Sequence, residues 1–161
     1  MNQDSSSDQI EVVSTLLGHF TVPRSAIITL PEGLIGIPDR KRFVLLEREN
    51  FLPFSYLQSL DQANFTLVVI SPFLVRPGYE IKVDRSDFSD LGIQGTSDCT
   101  LLAIVSFAQD PQDMTVNLKA PILVNIHSHQ GRQVIDQNTL LGVAEPLFRT
   151  GGTPAETVKE G

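Results

Sequence analysis

The chain has 161 residues, with 12 Lys and Arg and 19 Asp and Glu, so its formal net charge is −7 with histidine neutral. This length corresponds to about one domain, and a composition of 41% hydrophobic and 19% charged residues is too apolar for a wholly disordered chain. The acidic balance argues against direct binding of nucleic acid, which needs clustered Lys and Arg, and it favours a basic protein partner.

Both ends of the chain are polar and have little to bury. We expect residues 1–9 to be disordered and residues 149–161 to form a flexible tail, which leaves a single folded domain at 10–148. The start of the sequence lacks the basic and apolar stretches of a secretory signal, and no window has the roughly 18 apolar residues of a membrane span. We therefore expect a cytoplasmic protein without a membrane partner, and a monomer is the simplest expectation.

Short apolar runs separated by Pro, Gly, Asn and Asp predict β-strands through most of the domain. The predicted strands are 10–17, 19–22, 26–30, 43–48, 65–71, 79–83, 99–107, 114–118, 122–126 and 132–136. The runs at 65–70 and 101–105 are continuously apolar, which is typical of strands covered on both faces. The stretch 79–83 alternates instead, so one of its faces is expected to be exposed, and the single cysteine, Cys99, is expected to be buried in a strand.

One short helix is predicted at 87–91, with Ser86 as its N-cap and Gly92 as the left-handed residue that ends it. Many short strands with almost no helices between them indicate an antiparallel sheet that closes or half closes to protect its edges. The sequence therefore predicts an all-β fold, a small antiparallel β-barrel-like domain with one short helix.

No motif for catalysis, a cofactor or a metal ion is complete. The glycines of 33–36 are followed by Pro38 rather than by a helix, so no helix N-terminus is available for a phosphate. His127 and His129 would share one face of a strand, but they lack a third ligand, and an exposed hairpin end is favoured over a metal site. We expect no enzyme activity, no cofactor and no metal.

Acidic residues are concentrated in one stretch of the chain. Residues 84–113 contain one base, Arg85, and six aspartates, a local charge of −5; the aspartates are Asp84, Asp87, Asp90, Asp98, Asp110 and Asp113. These aspartates form a patch for a basic partner if their turns lie on one side of the domain, and otherwise a solvated rim that keeps the protein soluble. The sequence around Asp110 and Asp113 also fits a turn, and this interpretation is favoured over an acid/base pair.

Four segments form a set whose order and spacing are specific. They are Pro-Glu-Gly-Leu-Ile-Gly-Ile-Pro at 31–38, Pro-Phe-Ser-Tyr-Leu-Gln-Ser-Leu-Asp at 53–61, Met-Thr-Val-Asn-Leu-Lys-Ala-Pro-Ile-Leu-Val-Asn at 114–125 and Gly-Arg-Gln-Val-Ile at 131–135. This set resembles the FliW family of bacterial flagellar assembly factors, and the resemblance runs from about residue 16 to residue 136.

The resemblance implies a cytoplasmic β-barrel-like protein without catalysis that binds flagellin and the RNA-binding translational regulator CsrA. Once flagellin is exported, the freed factor would bind CsrA and relieve its repression of flagellin messenger RNA. The sequence departs from the family pattern at Ile37, where Phe is common, and at Leu140 and Val143, where Tyr followed by Arg is expected. The match is therefore weak beyond Ile135, and a divergent relative that has lost one partner is an open alternative.

The candidate partner-binding residues lie in the resembling segments and the acidic stretch. They are Tyr56, Gln58, Asp84, Asp87, Asp90, Asn117 and Lys119. The first two alternate on a face expected to be accessible, and Lys119 is expected to pair with an acid across the sheet. A structural role for Asn117, in which its amide bonds the backbone of a turn, is favoured over a contact role.

The alternative from another functional class is a small-molecule-binding protein or enzyme that uses the barrel interior. An interior filled by side chains would exclude this alternative.

Overall fold

The computed structural model describes residues 8–138 and 140–148. The strands are β1 Gln9–Ser14, β2 Gly18–Pro23, β3 Ile27–Thr29, β4 Arg42–Glu47, β5 Ser55–Ser59, β6 Thr66–Ile70, β7 Cys99–Ser106, β8 Thr115–Asn125, β9 Gly131–Gln133 and β10 Glu145–Pro146. The helices are α1 Pro72–Val75 and α2 Arg85–Ser89, with 3-10 turns at Arg24–Ala26, Glu49–Phe51, Thr96–Asp98 and Pro111–Asp113. The flexible tail expected at 149–161 lies outside the described residues, and so do residues 1–7 of the disordered segment expected at 1–9. Gln9, the last residue of that segment, belongs to β1 instead.

The strands form a nearly closed antiparallel sheet. Eight strands belong to it, in the order β10-β8-β7-β6-β5-β4-β3 with β9 beside β8. The edge strand β3 meets the turn between β8 and β9, where the Thr29 N–H donates to the His129 carbonyl at 2.9 Å. Strands β1 and β2 form a separate hairpin. The predicted all-β, barrel-like fold is therefore confirmed, with two short α-helices among the described residues rather than one.

The inner face of the sheet is packed with apolar side chains from most of its strands. They include Ile28, Leu30, Leu34, Phe43, Leu57, Val69, Leu102, Ile122 and Val124, all of them buried. The neighbours Val68 and Val69 belong to clusters on opposite faces of β6, and both are buried. This explains why β6 is continuously apolar: both of its faces are covered.

The outer face is covered by two different parts of the chain. The β1–β2 hairpin, residues 9–23, lies over β4 and β5, with Val12 and Val22 packed on Val44. We call it the hairpin cover. Residues 71–98, 134–138 and 140–147, which we call the loop cover, pack over β6, β7 and β8, and they bury Tyr79 and Ile93 among the strand residues.

The predicted strands differ from the structure in several places. β5 was not predicted, and the stretch 79–83 is no strand, although Tyr79 is buried and Glu80 exposed as its alternation requires. Its backbone pairs instead with the loop that follows β9, where the Gln137 N–H donates to the Lys82 carbonyl at 2.6 Å. The strands predicted at 114–118 and 122–126 form a single strand, β8. A bulge at residues 118–121 interrupts its pairing with β7.

The predicted helix is displaced by two residues. α2 begins at Arg85 with Asp84 as its N-cap, because Ser86 already has helical backbone, and it ends at Ser89. Gly92 adopts a φ of +71°, as predicted, and the following Ile93 N–H donates to the Phe88 carbonyl at 2.9 Å. The left-handed residue therefore turns the chain back towards the sheet immediately after the helix.

Candidate protein-binding surface

The arginine of β9 brings two predicted acidic residues together. Arg132 Nη1 donates to Asp87 Oδ1 at 3.1 Å and to Asp90 Oδ2 at 3.3 Å, and its Nη2 donates to Glu32 Oε2 at 3.5 Å. Burial by itself lowers the pKa of Arg132, but the hydrogen bond that it donates to Asp87 and the charges of Glu32 and Asp90 raise this pKa above its ordinary value. The guanidinium thus joins α2, the 31–38 turn and β9.

This cluster retains an excess of negative charge. Three carboxylates face one guanidinium, which leaves a net charge of −2. The side chains of Glu32 and Asp90 are 69% and 55% exposed, whereas those of Asp87 and Arg132 are about one fifth exposed. The exposed Asp84 accepts a hydrogen bond from Gln137 Nε2 at 2.7 Å. Asp84, Asp87, Asp90 and Glu32 therefore define what we call the acidic surface.

The other predicted aspartates lie in turns, where Asp98 and Asp110 have local partners. Asp98 Oδ1 lies 3.1 Å from His127 Nε2, and the backbone N–H of Gln94 together with that histidine lowers the pKa of Asp98. Asp110 Oδ1 accepts the Gln112 N–H at 3.0 Å at the start of a 3-10 turn, which confirms the turn interpretation. The six aspartates thus divide between α2 and two separate turns.

Tyr56 and Gln58 were expected on an accessible face, and for Gln58 this is wrong. Gln58 is 0% exposed, and its Oε1 accepts from the hydroxyls of Ser14 and Thr66. Its Nε2 donates to the carbonyls of Ser59 and Ala63, so all its polar atoms have partners within the chain. Burial follows because the hairpin cover lies over this side chain.

Tyr56 is half-buried in an aromatic group. Its ring stacks on Phe51 with centroids 4.6 Å apart and an interplanar angle of 10°, and Phe51 in turn contacts Phe54 at 5.3 Å. These rings pack against the outer cluster of the sheet. Part of Tyr56 therefore remains accessible, while its ring face is occupied by Phe51.

Asn117 immediately precedes the bulge of β8, and Lys119 lies in it. Asn117 Oδ1 accepts the N–H groups of Lys119 and Ala120 at 3.0 and 2.9 Å, as its predicted structural role requires. The Gly142 carbonyl accepts the N–H of Leu118 and of Lys119, and both bonds are 3.1 Å long. Lys119 Nζ donates to the Asn138 carbonyl at 3.0 Å, not to an acid across the sheet. The Asn-Leu-Lys-Ala-Pro part of the motif therefore builds the bulge and its backbone partners.

A buried carboxylate in the loop cover was not anticipated from the sequence. Asp136 is 0% exposed; its Oδ1 accepts the Asn138 N–H at 2.8 Å and its Oδ2 accepts the Lys82 N–H at 3.2 Å. The Tyr79 hydroxyl lies 3.5 Å from the same Oδ2, and burial together with the charge of Asp136 raises the pKa of Tyr79 well above its usual range. No motif marks this residue; the one signal is an acid directly after the apolar pair Val134-Ile135.

An apolar groove also borders α2. Its volume is about 560 Å³, and its apolar walls include Phe73, Ile81, Phe88, Ile93 and Leu101. The half-buried Cys99 lines it too, and burial raises the pKa of this thiol. We call this feature the α2 groove.

The described residues show no arrangement typical of a metal site or of a membrane helix. Within 8–138 and 140–148, no three His, Cys, Asp or Glu side chains are placed to hold one metal ion. His127 and Ser128 donate their N–H groups to Asn125 Oδ1 at the tip of the β8–β9 hairpin, where a hairpin end was expected. Across the same part of the chain, no helix is long and apolar enough to span a bilayer.

Comparison with known proteins gives a consistent result. The model of the FliW protein family matches residues 11–147. The flagellar assembly factors FliW of Natranaerobius thermophilus and Geobacillus thermodenitrificans are each 34% identical to the chain, over 91% and 86% of it and over 97% and 96% of their own lengths. That of Clostridium botulinum is 36% identical over 76% of the chain and 87% of its own length.

A solved structure agrees with the sequence matches. The crystal structure of a flagellar assembly factor FliW superposes with a TM-score of 0.82 at 34% identity, covering 89% of this chain and all of the other. The relatives are named as assembly factors and not as enzymes. The family match also continues past Ile135 to residue 147, which is further than the motifs alone indicated.

Proposed function

Because the chain belongs to the FliW family of flagellar assembly factors, we propose that it binds flagellin and the translational regulator CsrA and links flagellin synthesis to flagellin export. In this proposal flagellin occupies the protein while it waits for export. After export, the freed protein binds CsrA and removes it from flagellin messenger RNA. It acts as a cytoplasmic monomer without catalysis, and the coupling is a free-energy linkage between two protein ligands.

The acidic surface is the observation that supports a basic partner. An RNA-binding regulator needs clustered Lys and Arg to meet phosphates, and such a surface is attracted by Asp84, Asp87, Asp90 and Glu32. Two of these carboxylates are more than half exposed, so they are available to a partner. We include the accessible part of Tyr56 as a weaker candidate, and we leave out Gln58 because it is buried.

Titration calorimetry tests the proposed exchange of partners. The protein is titrated with purified CsrA from the same cell, first alone and then after saturation with flagellin. We expect heat of binding in the first titration and its loss in the second. Undiminished CsrA binding in the presence of flagellin would contradict the exchange, and no binding in either titration would leave the family fold without the proposed partners.

A charge-reversed variant tests the acidic surface separately. Glu32→Lys with Asp90→Lys changes two exposed acids and should slow association with CsrA about tenfold at low ionic strength, less at high salt. The matched control is Glu47→Lys with Glu49→Lys, two exposed acids with the same change in charge outside this surface. Equal slowing by the two double variants would assign the effect to net charge alone.

The alternative of a ligand inside the barrel has no support in the packing. Phe43, Leu57, Val69 and Ile122 are each at most 1% exposed and fill the space between the strands. The α2 groove lies outside this interior cluster.

The alternative of a relative that has lost one partner concerns Leu140 and Val143. Both are exposed, at 83% and 64%, so changing them does not disturb the core. If one partner fails to bind, Leu140→Tyr with Val143→Arg should restore its affinity. An unchanged affinity in the same titration would exclude these positions as the cause.

A further inference from the structure

The α2 groove has the size of a site for a short ligand. Its volume of about 560 Å³ falls in the range of roughly 300–1,000 Å³ that is usual for small binding sites. Phe73 on its border is 46% exposed, while Ile93 and Leu101 in its walls are buried. A ligand with a few apolar side chains would cover surface that is now in contact with water.

One charged side chain lines the groove. It is Arg85, and the lining contains no Asp or Glu, although Asp98 precedes the lining residue Cys99. Within residues 8–138 and 140–148, the exposed Arg85 side chain makes no ion pair or hydrogen bond, whereas Asp87 and Asp90 bind Arg132 and Asp84 binds Gln137. Among the charged side chains of α2 and its caps in this part of the chain, Arg85 is therefore the one without a hydrogen-bond or ion-pair partner, and it is the one that faces the groove.

The polar part of the lining suits a peptide backbone. Hydroxyl and amide groups occur between the apolar residues, at Ser71, Ser89, Gln94, Thr96 and Thr100. Gly95 also lines the groove with extended backbone, and a Cβ added there would meet no atom within 4 Å. A ligand can therefore approach the main chain closely at this position. An alkyl chain would leave these polar groups without partners, which favours a peptide over a fatty acid.

We propose that the α2 groove binds a short apolar peptide segment that carries one acidic side chain, whose carboxylate pairs with Arg85. The apolar side chains would pack on Phe73, Phe88 and Ile93. This inference does not depend on the proposal for flagellin and CsrA, because it concerns a different surface and its test uses synthetic peptides.

Cys99 provides the readout, since it is the single cysteine of the chain and lines the groove. The probes are short peptides with acetylated N-termini and amidated C-termini. Each has one central Glu, and the order of Leu, Phe and Ser around it is varied. Each peptide is paired with an analogue in which Gln replaces the Glu. Bound peptide should slow the reaction of Cys99 with a small maleimide. The Glu peptides should protect at concentrations about two- to fivefold lower than their Gln analogues, as expected for a partly exposed ion pair.

Three variants complete the test. A Cβ added at Gly95 or at Gly78 would meet no atom within 4 Å. Gly95→Phe places a ring in the groove and should abolish protection, whereas Gly78→Phe, which lies outside the groove, should leave protection intact. Arg85→Gln should remove the difference between Glu and Gln peptides. Laurate serves as the fatty-acid control. Failure of every peptide to protect, whether or not laurate protects, equal protection by both peptides of every pair, or protection that persists in Gly95→Phe would each overturn the proposal.

Discussion

Different buried polar groups hold the two covers of the outer face in place. The hairpin cover is tied by Gln58, a neutral amide whose oxygen and nitrogen both bond within the chain. The loop cover is tied by Asp136, a carboxylate that accepts backbone N–H groups of Lys82 and Asn138. The first arrangement seals its side of the sheet with neutral groups, whereas the second places a charge in the interior.

The covers also differ in what they leave open. The loop cover contains α2, and with it three of the four carboxylates of the acidic surface and most of the lining of the α2 groove. The hairpin cover packs Val12 and Val22 on Val44 and buries its polar contact. We infer that the hairpin cover serves mainly stability, and that the loop cover combines stability with recognition. Four predictions test this division, beginning with the largest expected effect.

Gln58→Ala should give the largest loss of stability. The change leaves the buried hydroxyl of Ser14 without its acceptor and opens a cavity beneath the hairpin cover. We expect the free energy of unfolding in urea to fall by about 3 kcal/mol. The control Gln112→Ala removes an exposed glutamine and should change it by less than about 0.5 kcal/mol. Similar losses in the two variants would contradict a special role for Gln58.

Asp136→Ala should loosen the loop cover while leaving the hairpin cover in place. Without the carboxylate, the N–H groups of Lys82 and Asn138 lose their acceptor, and we expect a loss of about 2 kcal/mol. Hydrogen exchange should accelerate at these two amides and remain slow at the amides of β1. Uniform acceleration across both covers would show that they are not independent units.

Tyr79, in the loop cover, should make the free energy of unfolding depend on pH in basic solution. Its pKa is raised by burial and by Asp136, so above its usual value near 10 the unfolded chain releases this proton while the folded chain retains it. The free energy of unfolding should then fall with rising pH by up to about 1.4 kcal/mol per pH unit. Tyr79→Phe should remove this slope in a urea titration between pH 9 and 11, and an identical slope in the variant would contradict the assignment.

Asp90→Asn should have the smallest effect on stability. The carboxylate is 55% exposed and shares Arg132 with Asp87 and Glu32, so its loss should change the free energy of unfolding by about 0.5 kcal/mol or less. The measurement is again urea unfolding at moderate salt. A loss above about 1.5 kcal/mol would mean that the acidic surface serves folding, which would weaken the case for a free binding face.

The strands with apolar patterns could be predicted, but the strand with buried polar residues could not. β6 and β7 follow from continuous apolar runs. β5 has three polar residues among its five, at Ser55, Gln58 and Ser59, and all three are buried. The acceptor of the Ser14 hydroxyl is Gln58, 44 residues later in the chain, so local pattern gives no sign that this glutamine can be buried.

The candidate surface was predictable in the same limited way. The aspartates of α2 stand out in the sequence, but their arginine partner does not, because Arg132 lies 42 to 45 residues away on β9. The Leu-Gln-Ser-Leu-Asp motif suggested contacts, yet Asp61 accepts the N–H groups of Lys41 and Arg42 and so fixes the start of β4. Side chains of these motifs accept backbone N–H groups at turns and bulges, so the motifs serve the fold more than they serve binding of a partner.

The meeting point of β3 with the β8–β9 turn sets a delay during synthesis. The bond from Thr29 to His129 joins positions about 100 residues apart, so this edge of β3 has no partner until the later residues exist. A ribosome adding about 5–20 residues per second needs about 5–20 s for that length. For those seconds each nascent chain presents an open strand edge and an unfilled apolar face, which is the interval in which aggregation competes with folding.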